Sequence, residues 1–186
     1  GDAVVLAVPH EAAARLLPAA ADARIDRAAL ADLGHSPIVN LHVVFDRPVM
    51  PYPLLAALDS DLQWIFDRTR SAGLERGQYL AISLSAAERF VGASAEAMRS
   101  LFVPALCALL PAARTARVER FAVTCERTAT FRATPGTRRS RPAPGTEVGG
   151  VCLAGAWTDT GWPATMEGAV RSGLAAADAA LAASQR

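Results

Sequence analysis

The sequence has few of the residues that build disulfide frameworks and metal centres, and it has no long hydrophobic run. Its three cysteines, Cys107, Cys125 and Cys152, are widely spaced and lie in apolar stretches. Because this spacing fits neither a metal site nor a disulfide framework, we expect buried free thiols in a reducing compartment and no bound metal. No stretch reaches the roughly 18 apolar residues of a membrane helix, and the first residues lack the basic region of a signal peptide. These features predict a cytoplasmic protein.

An excess of charge and a nucleotide-binding loop are also lacking. The 19 lysines and arginines nearly balance the 18 acidic residues, so the net charge is +1 and no general attraction to nucleic acid is expected. No G-x-G-x-x-G occurs, which excludes the usual dinucleotide pyrophosphate loop within these 186 residues. No Ser/His/Asp arrangement is visible, and the sequence therefore identifies no catalytic residue.

The N-terminal residues predict one strand and two short helices. Residues 3–8 are a valine-rich apolar run, typical of a strand buried on both faces. A helix is predicted from His10 to position 17, and His10 is either a polar first-turn residue or a functional one. Asp22 is positioned to cap a second short helix that ends at Gly34.

The middle of the chain predicts an antiparallel sheet, because alternating strands follow one another without long crossovers. The predicted strands are 38–46, 62–68, 79–85 and 117–130. The residues predicted to face the core are Val39, Leu41, Val43, Phe45, Leu80, Ile82, Leu84, Phe121, Val123 and Cys125. His42, on the other face of the first strand, is expected to face either solvent or a substrate cavity.

A helix and a basic loop complete the middle of the chain. Ser94 is predicted to cap the helix, Pro104 to kink it and Pro111 to end it. Residues 131–150 are rich in proline and glycine and predict an exposed loop. This loop carries Arg138, Arg139 and Arg141, which are either solvated or in peripheral contact with an anionic membrane surface or partner.

The stretch from Val151 to Gly173 predicts a strand, a glycine turn and the beginning of a helix. The first turn of a helix has backbone N–H groups without intrahelical partners and a partial positive charge, so it can receive negative charge. Gly168 and Gly173 fall inside this helix at a cost of about 1 kcal/mol each. Such glycines indicate a close approach by a ligand or by another backbone segment, although a tightly packed helix without a ligand is an equal alternative.

The segment Leu153-Ala-Gly-Ala-Trp-Thr-Asp-Thr-Gly-Trp-Pro-Ala-Thr-Met-Glu-Gly-Ala resembles the C-terminal flavin-binding motif of the FAD-dependent amine oxidase and phytoene desaturase superfamily. The stretch from Trp157 to Pro163 is similar to the narrower branch of hydroxysqualene dehydroxylases. The opening residues 2–9 and the segment 126–135 also resemble that branch.

The resemblance implies a mixed α/β fold. The C-terminal part of an FAD-binding Rossmann-like domain would comprise residues 1–35 and 131–186, and an antiparallel-sheet substrate domain with helices would comprise 36–130. The family's pyrophosphate loop lies near the N-terminus. Because this chain lacks that loop and begins without methionine, we interpret it as a fragment whose missing N-terminal half carries the loop.

The resemblance also implies FAD as cofactor. Its contacts would be Val8, Gly155, Ala156, Asp159, Thr165, Met166 and Gly168, with the Met166 backbone N–H at the pyrimidine edge of the flavin ring. Many relatives carry an acid immediately after the first glycine, where this chain has Ala156. Asp159 is the candidate substitute for that acid.

Three functions remain open at this stage. The first is an FAD-dependent reductive dehydroxylation of hydroxysqualene to squalene in hopanoid biosynthesis. The second is another activity of the superfamily, a carotenoid-type desaturase or an amine oxidase. The third is a non-catalytic fragment that cannot bind FAD alone. The lack of a visible general base fits hydride transfer at a flavin, and equally fits no catalysis.

Overall fold

The helices and strands of the protein belong to two units. The computed structural model describes residues 3–18, 25–146 and 148–184. Gly1–His35 and Thr130–Arg186 form one unit, which we call the split unit, and Ser36–Ala129 form the other, the middle unit.

The middle unit is built on a five-stranded sheet with strand order β3-β4-β5-β2-β6. Its strands are β2 (Ser36–Phe45), β3 (Leu54–Ala56), β4 (Trp64–Asp67), β5 (Gln78–Ser85) and β6 (Val118–Thr130). The pairs β3–β4, β4–β5 and β2–β5 are antiparallel, with Leu41 opposite Ile82 at the centre of the last pair. The predicted antiparallel sheet is therefore confirmed.

The core of the middle unit follows the alternation of β2 and β5. Their predicted inward side chains are all fully buried: Val39, Leu41, Val43, Phe45, Leu80, Ile82 and Leu84. Helix α3 (Ala95–Leu109) adds Met98, Phe102 and Leu106 to the same cluster. Ser94 caps α3 by accepting a hydrogen bond from the Ala97 backbone N–H, as predicted, and Pro104 lies inside the helix.

Two details of the middle unit differ from prediction. Cys125 is exposed, although it was expected to be buried, because β6 is an edge strand. Strand β3 was not predicted, since it has only three residues after a proline-rich loop. In β4 the fully buried side chain is Ile65, whereas Trp64 is 47% exposed.

The described residues of the split unit form a two-stranded parallel sheet and three α-helices. Strand β1 (Val4–Leu6) pairs with β7 (Val151–Leu153), with Val5 opposite Cys152. The helices are α1 (His10–Leu16), α2 (Arg27–Asp32) and α4 (Met166–Ser184). The buried cluster consists of Ala13, Leu17, Ile25, Leu30, Leu33, Phe131, Leu153 and Trp157.

Two N-terminal predictions are corrected. Strand β1 is not buried on both faces: Val4 is 53% and Val5 is 42% exposed, because the described part of this sheet has only two strands. Helix α2 begins at Arg27, and Asp26 caps it by accepting from the Ala29 backbone N–H. The predicted cap, Asp22, lies outside the described residues.

The basic loop is also more ordered than predicted. It contains a 3₁₀ turn at Thr137–Ser140, and Arg141 is partly buried rather than solvated. No helix among the described residues combines the length and the apolar character needed to cross a membrane.

Candidate functional site

The carboxyl ends of β1 and β7 lie at the same edge of the parallel sheet, because the two strands run in the same direction. Val8 follows β1, and Gly155 follows β7. The indole Nε1 of Trp157 donates a hydrogen bond to the Val8 carbonyl oxygen at 2.9 Å. In open α/β sheets, ligands bind at this edge. Val8 and Gly155 are therefore neighbours at the edge where a cofactor is expected.

Gly155 lies against Trp157 with no room for a side chain, and both of its backbone polar groups are hydrogen-bonded. Its φ is +151°, and a Cβ atom would overlap the indole ring of Trp157. Its backbone N–H donates to the hydroxyl of the fully buried Ser172 on α4, at 2.8 Å. Its carbonyl oxygen accepts from the Thr158 hydroxyl at 2.9 Å. These contacts tie the end of β7 to helix α4.

Arg141 holds the loop that follows Gly155. Its guanidinium donates to the carbonyl oxygens of Ala156 at 3.0 Å, of Trp162 at 3.1 Å and of Thr158. Burial lowers the pKa of Arg141. Sequence reasoning missed this role because three arginines follow one another within four positions of a polar loop, and nothing local distinguishes Arg141 from the other two.

Asp159 has partners within its own loop. Its carboxylate accepts from the Gly161 backbone N–H at 3.0 Å and from Arg138 at 3.3 Å. The Gly161 hydrogen bond is the main cause of a lowered pKa for this carboxyl, which is therefore ionised near neutral pH. Asp159 also lines a cleft of about 340 Å³ with Trp162 and Pro163.

The first turn of α4 is open. Thr165 caps the helix, since its hydroxyl accepts from the Gly168 backbone N–H at 3.2 Å. Among the described residues, the backbone N–H groups of Met166 and Glu167 have no recorded acceptor. The Met166 side chain is 89% exposed. The helix therefore presents two free donors and the positive end of its dipole.

The two glycines of α4 have different surroundings. A Cβ atom on Gly168 would overlap the carbonyl oxygen of Pro163, so another backbone segment explains this glycine. Gly173 is exposed, and within the described residues nothing lies within 4 Å of the position its Cβ would occupy. Packing thus accounts for Gly168 and leaves Gly173 unexplained.

A polar cluster lies on one face of the middle unit's sheet. The His42 Nδ1 atom is 2.7 Å from the Tyr79 hydroxyl, and Nε2 is 3.0 Å from the Thr124 hydroxyl. His42 is therefore partly buried and hydrogen-bonded on both ring nitrogens. Whether this face lines a substrate cavity stays a prediction.

The split unit thus brings Val8, Gly155, Ala156, Asp159, Thr165, Met166 and Gly168 into one region, at two strand ends and one helix N-terminus. The open N–H groups of α4 and the side-chain-free turn at Gly155 suit a planar ring with a polar, anionic edge. The described residues fit a flavin in this respect.

Comparison with known proteins identifies relatives of the whole chain. Residues 1–181 match the family described as flavin containing amine oxidoreductase. Hydroxysqualene dehydroxylases from Sinorhizobium fredii and Rhodopseudomonas palustris are each 37% identical, over 97% and 98% of this chain. A 15-cis-phytoene desaturase from Synechococcus elongatus is 27% identical over 97% of this chain. The chain spans 39% of the length of each of the two dehydroxylases.

Solved structures show the same fold at low sequence identity. An oxidoreductase from Methanosarcina mazei has a TM-score of 0.71 at 17% identity, covering 96% of this chain and 43% of that one. Cyclohexylamine oxidase from Brevibacterium oxydans has a TM-score of 0.66 at 18% identity, covering 98% and 42%. The predicted fold class is confirmed: the chain has a mixed α/β fold with a parallel and an antiparallel sheet, and it matches these structures over nearly its whole length.

Proposed function

Since the chain belongs to the flavin-containing amine oxidoreductase family, we propose that it is part of an FAD-dependent oxidoreductase that reductively dehydroxylates hydroxysqualene to squalene. The proposal rests mainly on the 37% identity to two hydroxysqualene dehydroxylases over nearly the whole chain. The Trp157–Pro163 stretch, which resembles the same branch, supports it. This activity would place the protein in hopanoid biosynthesis.

A desaturase acting on a carotenoid-type substrate is the second candidate. It rests on the 27% identity to a phytoene desaturase over 97% of the chain. The lower identity makes it the weaker candidate. Both candidates share an isoprenoid substrate and a flavin, and they differ in whether the substrate is reduced or oxidised.

A flavin bound in its reduced form would supply hydride chemistry: one hydride and one proton would convert the C–OH group of the substrate to C–H and release water, leaving the flavin oxidised. The chain's own contribution would begin at the first turn of α4, where the Met166 and Glu167 backbone N–H groups are free to donate. Thr165 keeps this turn in place by capping the helix. Donors at a helix N-terminus stabilise negative charge on a neighbouring ring, which favours the reduced cofactor.

The residues after β7 would hold the rest of the cofactor. Gly155 and Ala156 would lie beside the ribityl and pyrophosphate groups, and Val8 would border the ring. Arg141 would act as a positioning residue, because it binds the carbonyl oxygen of Ala156. Asp159 is the candidate substitute for the family's acid, although its carboxylate already binds Gly161 and Arg138.

A complete FAD site would require residues beyond this chain. No G-x-G-x-x-G occurs in the 186 residues, and the dehydroxylase relatives are longer. We expect the missing N-terminal half to supply the pyrophosphate loop and the middle unit to bind the isoprenoid. Without that half, the chain would be the non-catalytic fragment of the third hypothesis.

The test is an anaerobic assay of the full-length, flavin-loaded protein. The protein is reduced chemically and mixed with hydroxysqualene, flavin reoxidation is followed by absorbance, and products are identified by mass spectrometry. We expect squalene in proportion to flavin reoxidised. A parallel reaction starts from oxidised protein and phytoene. Desaturated phytoene without squalene would favour the second candidate, and no product in either reaction would contradict both.

A further inference from the structure

Two of the three histidines of the chain meet in the split unit. His10 and Glu11 form the first turn of α1, and His35 follows α2 just before β2 begins. The His10 and His35 rings have centroids 5.2 Å apart. No bound metal was expected from the sequence, because the spacing of the cysteines fits no metal site. His10 and His35 are far apart along the chain.

The three side chains converge on a small volume. Glu11 Oε1 contacts His35 Nε2 and lies 3.7 Å from His10 Nε2. One ligand atom from each of the three residues can be chosen so that all lie within 4.8 Å of one another. Metal–ligand distances of roughly 2.0–2.2 Å allow one ion to reach all three after small side-chain rotations.

The burial of the His10 side chain is not explained by the hydrogen bonds of the protein itself. It is 4% exposed, and its Nε2 atom is buried without a hydrogen-bond partner among the described residues. Buried polar atoms are rarely left unpaired, because they lose their hydration without compensation. The contact between Glu11 and His35 satisfies those two groups and leaves His10 Nε2 open.

We propose that His10 Nε2, the Glu11 carboxylate and His35 Nε2 form a binding site for a divalent transition-metal ion, with Zn²⁺ as the ion that this donor set suits best. Two imidazoles and one carboxylate are a common zinc ligand set. The side chains of Glu11 and His35 are 35% and 32% exposed, so an ion can enter and a water molecule can complete its coordination.

The ion would link α1 to the segment that follows α2, and it would also fix the end of β1, since Val8 precedes His10 by two residues. The site does not depend on the proposed enzymatic activity.

The test is a titration of the intact, chelator-stripped protein with Co²⁺ and Zn²⁺. Cobalt binding is read from the difference absorption spectrum, and zinc affinity from competition with a chromophoric chelator. We expect one ion per chain, visible bands of a four-coordinate cobalt site, displacement of cobalt by zinc, and a raised melting temperature with zinc.

The variants His35→Ala and Glu11→Gln each alter one proposed ligand. Both side chains are exposed enough for the fold to tolerate the change. Mutating a residue that only hydrogen-bonds to a metal ligand lowers metal affinity by roughly 10–100-fold. Removing a ligand itself should therefore lower the affinity by more than about 100-fold. His42→Ala and Glu96→Gln, in the middle unit, are matched controls and should bind normally. Absence of stoichiometric zinc binding, or equal affinity in the ligand and control variants, would overturn the proposal.

Discussion

The two units differ in how fully their central strands bury apolar side chains, although the middle unit also exposes Leu58 and Trp64. In the middle unit, every inward residue of β2 and β5 that the sequence predicted is fully buried. In the split unit, large apolar side chains remain exposed on β1 and along one side of α4. They are Val4, Val5, Met166, Val170, Leu174 and Leu181, with exposures between 42% and 89%.

We infer from this difference that the sheet of the middle unit covers its own core more completely than the described sheet of the split unit does. A five-stranded sheet with a helix on one face buries its own core, whereas a two-stranded parallel sheet cannot. The candidate cofactor residues all lie in the split unit. The candidate flavin site therefore lies in the unit that leaves large apolar side chains of β1 and α4 exposed.

The largest expected effect concerns cofactor retention. The 186-residue chain alone should hold no stoichiometric FAD, because it lacks a pyrophosphate loop, whereas the full-length protein should retain FAD. Both are passed through gel filtration after incubation with FAD, and the absorbance spectrum of the protein peak is recorded. A yellow protein peak from the isolated chain would contradict this expectation.

A pair of leucine substitutions compares the two units directly in the isolated chain. Leu41→Ala, in the middle unit, should lower the free energy of unfolding by about 2–5 kcal/mol, because it leaves a cavity in a filled core. Leu174→Ala, on the exposed side of α4, should change it by less than about 0.5 kcal/mol. Denaturant unfolding followed by circular dichroism measures both free energies of unfolding. Equal losses in the two variants would contradict the difference in burial between the two units.

Substitution of Arg141 tests whether its hydrogen bonds hold the loop after β7 in place. Arg141→Ala should destabilise the split unit by about 2–4 kcal/mol, because hydrogen bonds from a charged donor to several carbonyl oxygens are lost. Arg139→Ala, in the same loop but exposed, is the control and should stay within about 0.5 kcal/mol of the wild type. Denaturant unfolding and limited proteolysis of the loop report the difference. Indistinguishable variants would show that Arg141 does not hold the loop.

The smallest expected effect is a pH dependence in the middle unit. A hydrogen bond from Arg47, aided by the Arg117 backbone N–H, lowers the pKa of Asp46 from 3.8 to about 2. A lowered pKa means that the folded state binds the proton more weakly. This contribution to stability is therefore present above about pH 4 and lost as the pH falls towards 2.

The Asp46→Asn variant isolates that contribution. Its melting temperature should fall less steeply than that of the wild type between about pH 4 and pH 2. Glu96→Gln, which changes an exposed carboxylate on α3, serves as the control. Parallel acid profiles for the wild type and Asp46→Asn would mean that Asp46 makes no such contribution.

Features set by local chemistry were predictable from the sequence. The alternation of β2 and β5, the Ser94 cap of α3 and the start of α4 after Thr165 depend on residues close together in the chain. Each follows from periodicity or capping preferences. The strands of the middle unit were predicted individually, but β2 pairs with β5 and β6 rather than with β3, its neighbour in the sequence.

Features set by distant contacts were not predictable. The exposure of β1 depends on how many strands its sheet has, and that of Cys125 on its position in an edge strand. Arg141 donates hydrogen bonds to carbonyl oxygens of loop residues that are fifteen or more positions away in the sequence. The cluster of His10 and His35 needs the fold to bring α1 and the end of α2 together.

The most direct test of the account is whether the Met166 backbone N–H meets the flavin. Met166→Pro removes this donor at the first helical position, where proline is tolerated, and Met166→Ala retains it. Because a hydrogen bond to a charged group contributes about 1.5–3 kcal/mol, the two-electron reduction potential of the full-length protein should be about 30–60 mV more negative in Met166→Pro than in Met166→Ala. Equal potentials in two folded, flavin-loaded variants would show that the N-terminus of α4 is not at the cofactor.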